Sequence, residues 1–167
     1  MPKIITQARI FKGLSDEERL EIARFLEIRK YKEGEVVFAE NDPGKRLFIV
    51  GSGMLNLVIS GQEQQQFHAG DFFGELAVIN ESIRTGTVKA LKPSVLYCLK
   101  SDDLLNPQHI SPLTAIKIYV CLAKKVTSYL KQAGNTATSQ LLCDGEGEHL
   151  EFKSTLRINM HTGKKDA

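Results

Sequence analysis

The 167-residue chain has no tryptophan and only three cysteines and four histidines. The cysteines lie far apart, at Cys98, Cys121 and Cys143. An odd, scattered set argues against a disulfide framework, and no pair has the two-residue spacing of a zinc or redox motif. We therefore expect reduced, mostly buried thiols. Because the histidines are scattered as well, we expect no metal site and no cofactor.

An excess of charge of one sign is also missing, since 22 Lys and Arg residues face 20 Asp and Glu residues. A net charge of +2 does not predict binding to nucleic acid or membranes through bulk electrostatics. No apolar run reaches the roughly 18 residues of a membrane span. Residues 1–6 lack the apolar core and cleavage site of a signal peptide. We expect a cytoplasmic protein that has no membrane partner.

What the chain does contain is a change in hydrophobic period. Residues 1 to about 28 have helical spacing, with a capping box at Ser15 and Glu18 and apolar residues such as Ile22 and Phe25 on one face. From about residue 29 to 99, short apolar runs alternate with Gly- and Pro-containing turns. This pattern predicts an antiparallel β barrel or sandwich with flanking helices.

Helical spacing returns from Leu113 to about Gln132. One apolar stripe is expected to pack on the barrel and consists of Ile116, Val120, Ala123, Val126 and Leu130. The remaining apolar surface includes Ile118, Leu122 and Tyr129. Two interpretations stay open: the helix packs on the barrel alone, or this second surface also forms a homodimer.

The stretch that indicates chemistry begins at Gly74 and Glu75 and continues to Arg84. Glycine can adopt a backbone conformation that a side chain blocks, and the short helical turn after it presents free N–H groups that favour an anion. Arg84 offers a planar fork for two phosphate oxygens, and a nearby carboxylate can accept a ribose hydroxyl. These groups suit a small phosphosugar with one negative charge. The alternative is a salt bridge between Arg84 and Glu75 beside a structural turn.

The wider stretch resembles the phosphate-binding cassette of the cyclic-nucleotide-binding domain family. The family pattern is Phe-Gly-Glu-Leu/Ile-Ala-Leu, a variable gap, and Pro-Arg-x-Ala-Thr/Ser-Val. It falls here on Phe73, Gly74, Glu75, Leu76, Ala77 and Val78, and then on Arg84, Thr85, Thr87 and Val88. The resemblance covers about residues 5 to 135. It implies a mainly β jelly-roll barrel with an N-terminal helical bundle and a long C-terminal helix.

The resemblance also implies roles for individual residues. Glu75 accepts the ribose 2′-hydroxyl and Arg84 pairs with the cyclic phosphate of cAMP or cGMP. The backbone that cradles the phosphate is shaped by Gly74, Leu76 and Ala77, after Phe73. Thr85 and Tyr129 are expected to contact the base. Ile83 replaces the usual proline and Gly86 the usual alanine, and both replacements predict a looser pocket.

The C-terminal end is expected to divide from the binding domain at about residue 135. Residues 133–147 have the composition of a linker. The segment from Leu150 to Arg157 resembles the opening strand of the Schlafen/AlbA-like DNA-binding domain. Residues 136–167 are thus either a polar tail or the start of a truncated effector domain, and any DNA partner is expected only through that effector.

The resemblance and the residues together favour a regulatory sensor rather than an enzyme. It is expected to bind cAMP or cGMP and to pass the signal through its C-terminal helix to an effector that regulates transcription. No nucleophile and base can be paired along the sequence, and the cysteines lack the clustering of an iron–sulfur sensor. The alternative is a ligand-independent dimerisation or protein-interaction domain of the same fold.

Overall fold

The computed structural model describes residues 3–80 and 83–141. Two helices and a 3-10 turn come first: α1 (Lys3–Gln7), the turn Arg9–Phe11 and α2 (Asp16–Ala23). The strands are β1 (Glu27–Tyr31), β2 (Val36–Phe38), β3 (Arg46–Ser52), β4 (Met54–Ile59), β5 (Gln62–His68), β6 (Phe72–Phe73), β7 (Thr87–Ala90) and β8 (Ser94–Lys100). Helix α3 (Glu75–Asn80) lies between β6 and β7, and α4 (Ser101–Leu105) and α5 (Pro112–Leu141) follow β8.

The strands form two antiparallel sheets. One has the order β1-β8-β3-β6 and the other the order β2-β7-β4-β5. The mainly β jelly-roll fold with flanking helices and a long C-terminal helix is confirmed. The expected closure into a barrel is wrong: within the described ranges the two sheets stay separate, so the architecture is a sandwich.

Alternation along β3 separates two apolar regions. Leu47 and Ile49 are fully buried in a cluster that also contains residues from the N-terminal helices and α5. Phe48 points the other way, between the sheets, where its ring centroid lies 5.6 Å from that of Phe38 and 5.3 Å from that of Phe73. Because successive strand residues face opposite sides, one strand holds the helices on one face and an aromatic cluster on the other.

The first helical segment is shorter than expected. The capping box is present, with Glu18 N donating to Ser15 Oγ at 3.2 Å, but α2 ends at Ala23 and β1 begins at Glu27. Phe25 packs against the core beyond the end of the helix. Apolar residues spaced three and four apart therefore continue past the end of the helix into a turn. The predicted end of the helix near residue 28 is wrong.

The face of α5 that packs on the core is the opposite of the expected one. Ile118 and Leu122 are fully buried, whereas Ile116 and Val120 are 58% and 48% exposed. Both faces of the helix are apolar, so periodicity alone does not distinguish them.

The rotation of α5 is set by polar contacts at its first turn. Thr114 Oγ1 donates to a Glu21 carboxylate oxygen at 2.7 Å, and the Ser111 backbone N–H donates to the same carboxylate at 2.5 Å. Thr114 is fully buried. Residues four positions apart lie on the same side of a helix, so Ile118 and Leu122 follow Thr114 into the core.

Helix α5 also continues past the expected end at Gln132. It runs to Leu141, so residues 133–141 are helical although their composition is that of a linker. The segment contains Gly134, which costs roughly 1 kcal/mol relative to alanine, but it has no proline that would end the helix. Residues 142–147, and the segment that resembles the Schlafen/AlbA-like strand, lie outside the described residues.

Contacts divide the chain into two compact units, and the boundary in the sequence falls between Leu122 and Ala123. The first unit holds every described strand, and the described part of the second is helix through Leu141. Cys98 is buried and Cys121 is partly buried, and neither forms a disulfide within the described residues. No helix among the described residues is long and apolar enough to cross a membrane.

Candidate ligand-binding site

The predicted cassette is built where β6 ends and α3 begins. Gly74 links them with φ +85°, a left-handed conformation that favours glycine. A Cβ on Gly74 would lie 2.6 Å from Arg84 Nη1 and 3.0 Å from the Arg46 carbonyl oxygen. Glycine is therefore required here both for its backbone conformation and for the close approach of Arg84.

Arg84 is held by main-chain groups although it is only 5% exposed. Its Nη1 donates to the Gly74 carbonyl at 3.1 Å, and its Nη2 donates to the Arg46 carbonyl at 2.8 Å. Its own backbone N–H donates to the Asp42 carbonyl at 2.7 Å. Because carbonyls are neutral, these bonds orient the guanidinium without cancelling its charge.

An aromatic ring and a second glycine also lie close to the Arg84 side chain. The guanidinium carbon lies 4.2 Å from the centroid of the Phe38 ring and 5.4 Å from that of Phe48. A Cβ on Gly44 would lie 2.5 Å from Arg84 Nε and 2.8 Å from the Ala77 Cβ. The side chain thus passes between a ring and a bare stretch of backbone.

Burial lowers the pKa of Arg84 to about 10, while the charge of Glu75 raises it. Arg84 still keeps its proton at neutral pH. Its Nε is buried and has no hydrogen-bond partner among the residues that the structure describes. A buried cationic N–H without a partner is costly, and an oxygen atom of an anion would satisfy it.

Glu75 opens α3 and is 4% exposed. Its charge acts on Arg84, which places a carboxylate and a guanidinium in one buried setting. The close hydrogen bonds of the Arg84 Nη atoms go to main-chain carbonyls. The guanidinium is therefore oriented by main-chain groups, and Glu75 acts on it through its charge.

Most of the predicted site residues come together in the first unit. Phe73, Gly74, Glu75 and Ala77 surround the path of the Arg84 side chain or adjoin it. Leu76 is half-buried in α3, and Thr85 is partly buried in the bend after Arg84. Tyr129 lies in the second unit, where the Lys125 ammonium is 5.9 Å from its ring centroid. Base contacts by Thr85 and Tyr129 stay predictions.

The chain is held by neighbouring residues at both positions that depart from the family pattern. Ile83 forms an isolated antiparallel bridge with Pro43, which holds the chain just before Arg84. A Cβ on Gly86 would lie 2.7 Å from Ile59 Cγ1 and 2.8 Å from Leu57 Cδ1. The glycine lets the cassette lie directly against β4, so this position is closely packed rather than loose.

Phe38, Gly44, Arg46 and Phe48 also surround Arg84, and the cassette motif does not predict them. They precede Arg84 by 36 to 46 residues in the sequence. A local motif carries no information on which distant ring and carbonyls its arginine will meet.

The chain is thus a jelly-roll sandwich that buries a charged arginine and a carboxylate at one site. Residues 28–106 match the family model described as the cyclic nucleotide-binding domain. This part of the chain is therefore similar in sequence to cyclic nucleotide-binding domains.

The chain is similar to regulatory proteins of several kinds. It is 29% identical over 122 residues to the Cyclic AMP receptor protein of Thermus thermophilus, covering 70% of this chain and 56% of that protein. It is 35% identical over 92 residues to a cAMP-dependent protein kinase regulatory subunit of Mycosarcoma maydis, covering 53% and 18%. It is 30% identical over 114 residues to a cGMP-dependent protein kinase of Drosophila melanogaster, covering 65% and 12%. The chain thus spans about half or less of these relatives.

A solved structure confirms the fold. The chain matches cAMP-bound PfPKA-R with a TM-score of 0.70 and 24% identity, over 81% of this chain and 46% of that one. At this level of identity the match establishes the arrangement of strands and helices alone.

Proposed function

We propose that the chain is a sensor module that binds a cyclic nucleotide, cAMP or cGMP, at the cassette. The observation that carries the proposal is Arg84, a buried cation oriented by two carbonyls, with an unpartnered Nε among the described residues and Glu75 nearby. A cyclic phosphate carries one negative charge, and a ribose offers the hydroxyl that a carboxylate accepts. The similarity to proteins named for cAMP and for cGMP supports both ligands.

The test is calorimetry with cAMP, cGMP and 5′-AMP on the purified chain and on Arg84→Ala. Truncating one partner of a buried charge pair costs about 2–5 kcal/mol, so the variant should bind the cyclic nucleotide more than tenfold more weakly. Arg24 is exposed, and Arg24→Ala should bind as the parent does. Equal affinity in Arg84→Ala would overturn the role of Arg84.

We further propose that the bound state is transmitted through α5. A ligand shifts a helix only by its different affinity for two arrangements of it. Thr114 and Ser111 tie the first turn of α5 to Glu21 in α2, so the helix start is mechanically linked to the N-terminal helices. An effector that regulates transcription and a cytoplasmic location are part of this proposal, and so is a role in binding rather than catalysis.

A second candidate function, dimerisation without a ligand, is favoured by one observation. Leu113, Ile116 and Val120 are all largely exposed on one side of α5. An apolar stripe of this kind suits a helix of a second copy. A thermal-shift panel separates the candidates, because a ligand that binds only the folded state must raise the unfolding temperature. No shift at millimolar cyclic nucleotide would favour the interaction domain.

A further inference from the structure

A cavity of about 500 Å³ is lined in part by Arg84, and we call it the cationic cleft. Residues from both sheets line it, with Phe38 and Phe48 as apolar walls. Its cations are Arg29, Lys45, Arg46, Arg84 and Lys100. Two carboxylates, those of Asp42 and Asp102, also line it. The cleft is therefore strongly positive although the whole chain is nearly neutral.

The register of the first sheet concentrates these charges. β8 pairs with both β1 and β3, so that Glu27 lies opposite Cys98, and Arg46 lies opposite Lys100. Arg29 follows Glu27 by two positions on β1 and shares its face. Charged side chains from three neighbouring strands thus meet at one end of the sheet.

A single carboxylate, that of Glu27, forms ion pairs with three of these cations. Lys100 Nζ lies 2.6 Å from Glu27 Oε1, while Arg29 Nη2 and Arg46 Nη2 lie 3.4 Å and 3.8 Å from Oε2. Lys100 holds the pKa of Glu27 below its ordinary value, so the carboxylate is ionised at neutral pH. One negative charge against three positive ones leaves the group with an excess of two.

A buried donor at the cleft also lacks a hydrogen-bond partner. Arg46 Nε is buried and has no partner within residues 3–80 and 83–141. Such an N–H group is costly to leave unpaired, and an oxygen atom of an anion satisfies it.

We propose that the cationic cleft is a second anion-binding site, which takes a small phosphate-bearing anion with two or more charges. Arginine forks match phosphate geometry, and the cleft offers those of Arg29 and Arg46 together with the Lys100 ammonium. Its volume is in the range of small-molecule sites. The cassette residues Glu75 and Leu76 do not line it. The proposal does not depend on cyclic-nucleotide binding.

The test is calorimetric titration of the full chain with inorganic diphosphate at low ionic strength. Arg29→Gln and Lys100→Gln should each weaken binding about tenfold, as expected for loss of one charge-assisted contact. Lys30 is exposed on the opposite face of β1, so Lys30→Gln removes the same charge and should leave binding unchanged. Circular dichroism checks that every variant is folded.

Glu27→Gln is the decisive variant because the proposal predicts a gain. Removing the carboxylate that competes for three cations should tighten diphosphate binding several-fold. If Glu27 and its partners serve only the stability of the sheet, the variant will unfold more easily and bind diphosphate no better, which overturns the proposal. Loss of binding in Lys30→Gln to the same extent as in Lys100→Gln also overturns it, since the effect would then be one of net charge.

Two further arms identify the ligand source and the site. Equal affinity for diphosphate and ADP would show that a free phosphate anion suffices as the ligand. Tighter binding of ADP would show that the phosphate belongs to a nucleotide.

Diphosphate should still bind when cAMP is saturating. Displacement of diphosphate by cAMP, with no effect of Lys100→Gln, would place it in the cassette and refute the second site. A chain that fails to bind cAMP leaves the diphosphate titration and its variants unaffected.

Discussion

At the scale of single residues, Arg84 shows how a buried charge is kept ready for a ligand. Its two close side-chain hydrogen bonds go to the carbonyls of Gly74 and Arg46, and its guanidinium carbon lies over the Phe38 ring. Burial disfavours the charged form, which the lowered pKa of about 10 reflects. The carbonyls, the ring and the charge of Glu75 work against that penalty. The guanidinium therefore stays charged and oriented before any ligand arrives.

Phe38→Leu should weaken cyclic-nucleotide binding without removing any group that touches the ligand. A cation over an aromatic face contributes about 0.5–2 kcal/mol, so we expect a loss of about 2- to 30-fold in affinity by calorimetry. Phe25→Leu is the matched control, because Phe25 stacks on His109, in the part of the core that the N-terminal helices cover. Equal losses of affinity in the two variants would show a general packing effect and contradict the assignment to Phe38.

The sequence predicted the local part of this site and missed the distant part. Gly74, Glu75 and Arg84 belong to one short motif, and the positive φ of Gly74 is what the motif requires. Phe38, Gly44 and Arg46 reach Arg84 only because two sheets fold over each other. Their types are common in strands and turns, so nothing in one sequence marks them as partners of an arginine.

At the scale of elements, α2 and α5 are joined by two carboxylates of α2. Glu21 binds Ser111 and Thr114 at the first turn of α5. Glu18 accepts from Lys117 Nζ at 2.6 Å and 2.9 Å, one turn further along. The rotation of α5 follows from these contacts. Since both of its faces are apolar, the sequence predicted the helix correctly and its buried face wrongly.

Glu18→Gln should lower the stability of the chain at pH 7 but not at pH 3. The contact with Lys117 holds the pKa of Glu18 below its ordinary value of 4.5 in the folded state. The charged pair therefore stabilises the fold fully above pH 4.5, and that stability is lost as the pH falls through the lowered pKa. Glutamine retains the capping-box bond to Ser15, so the change removes only the charge.

Urea unfolding of Glu18→Gln and of the parent at pH 7, 5 and 3 measures this effect. The gap between the two should be similar at pH 7 and 5 and should close towards pH 3. Glu17→Gln, an exposed change in the same turn, controls for the loss of a charge near the helix start. A gap that stays constant from pH 7 to pH 3 would refute the electrostatic origin.

At the scale of the whole molecule, the first unit presents an apolar stripe that its own core does not use. Leu113, Ile116 and Val120 lie at spacings of three and four on α5 and are 48–61% exposed. The sequence predicted both a packed face and a free apolar face on this helix. In the structure, Ile118 and Leu122 are buried in the core and the stripe is exposed. The proposed dimer surface is therefore this stripe rather than the surface that contains Ile118 and Leu122.

If the stripe forms a homodimer, Ile116→Lys should convert the protein to a monomer. A buried lysine ammonium without a partner costs several kcal/mol, which is enough to break a helix–helix contact of modest size. Light scattering after size exclusion, at about 10–100 μM protein, measures the mass against the micromolar range in which such contacts form. Ile28→Lys is the matched control, since Ile28 is 59% exposed on β1 and Ile116 is 58% exposed. A parent chain that is monomeric throughout this range, or a dimer broken by Ile28→Lys alone, would show that the stripe on α5 is not the interface.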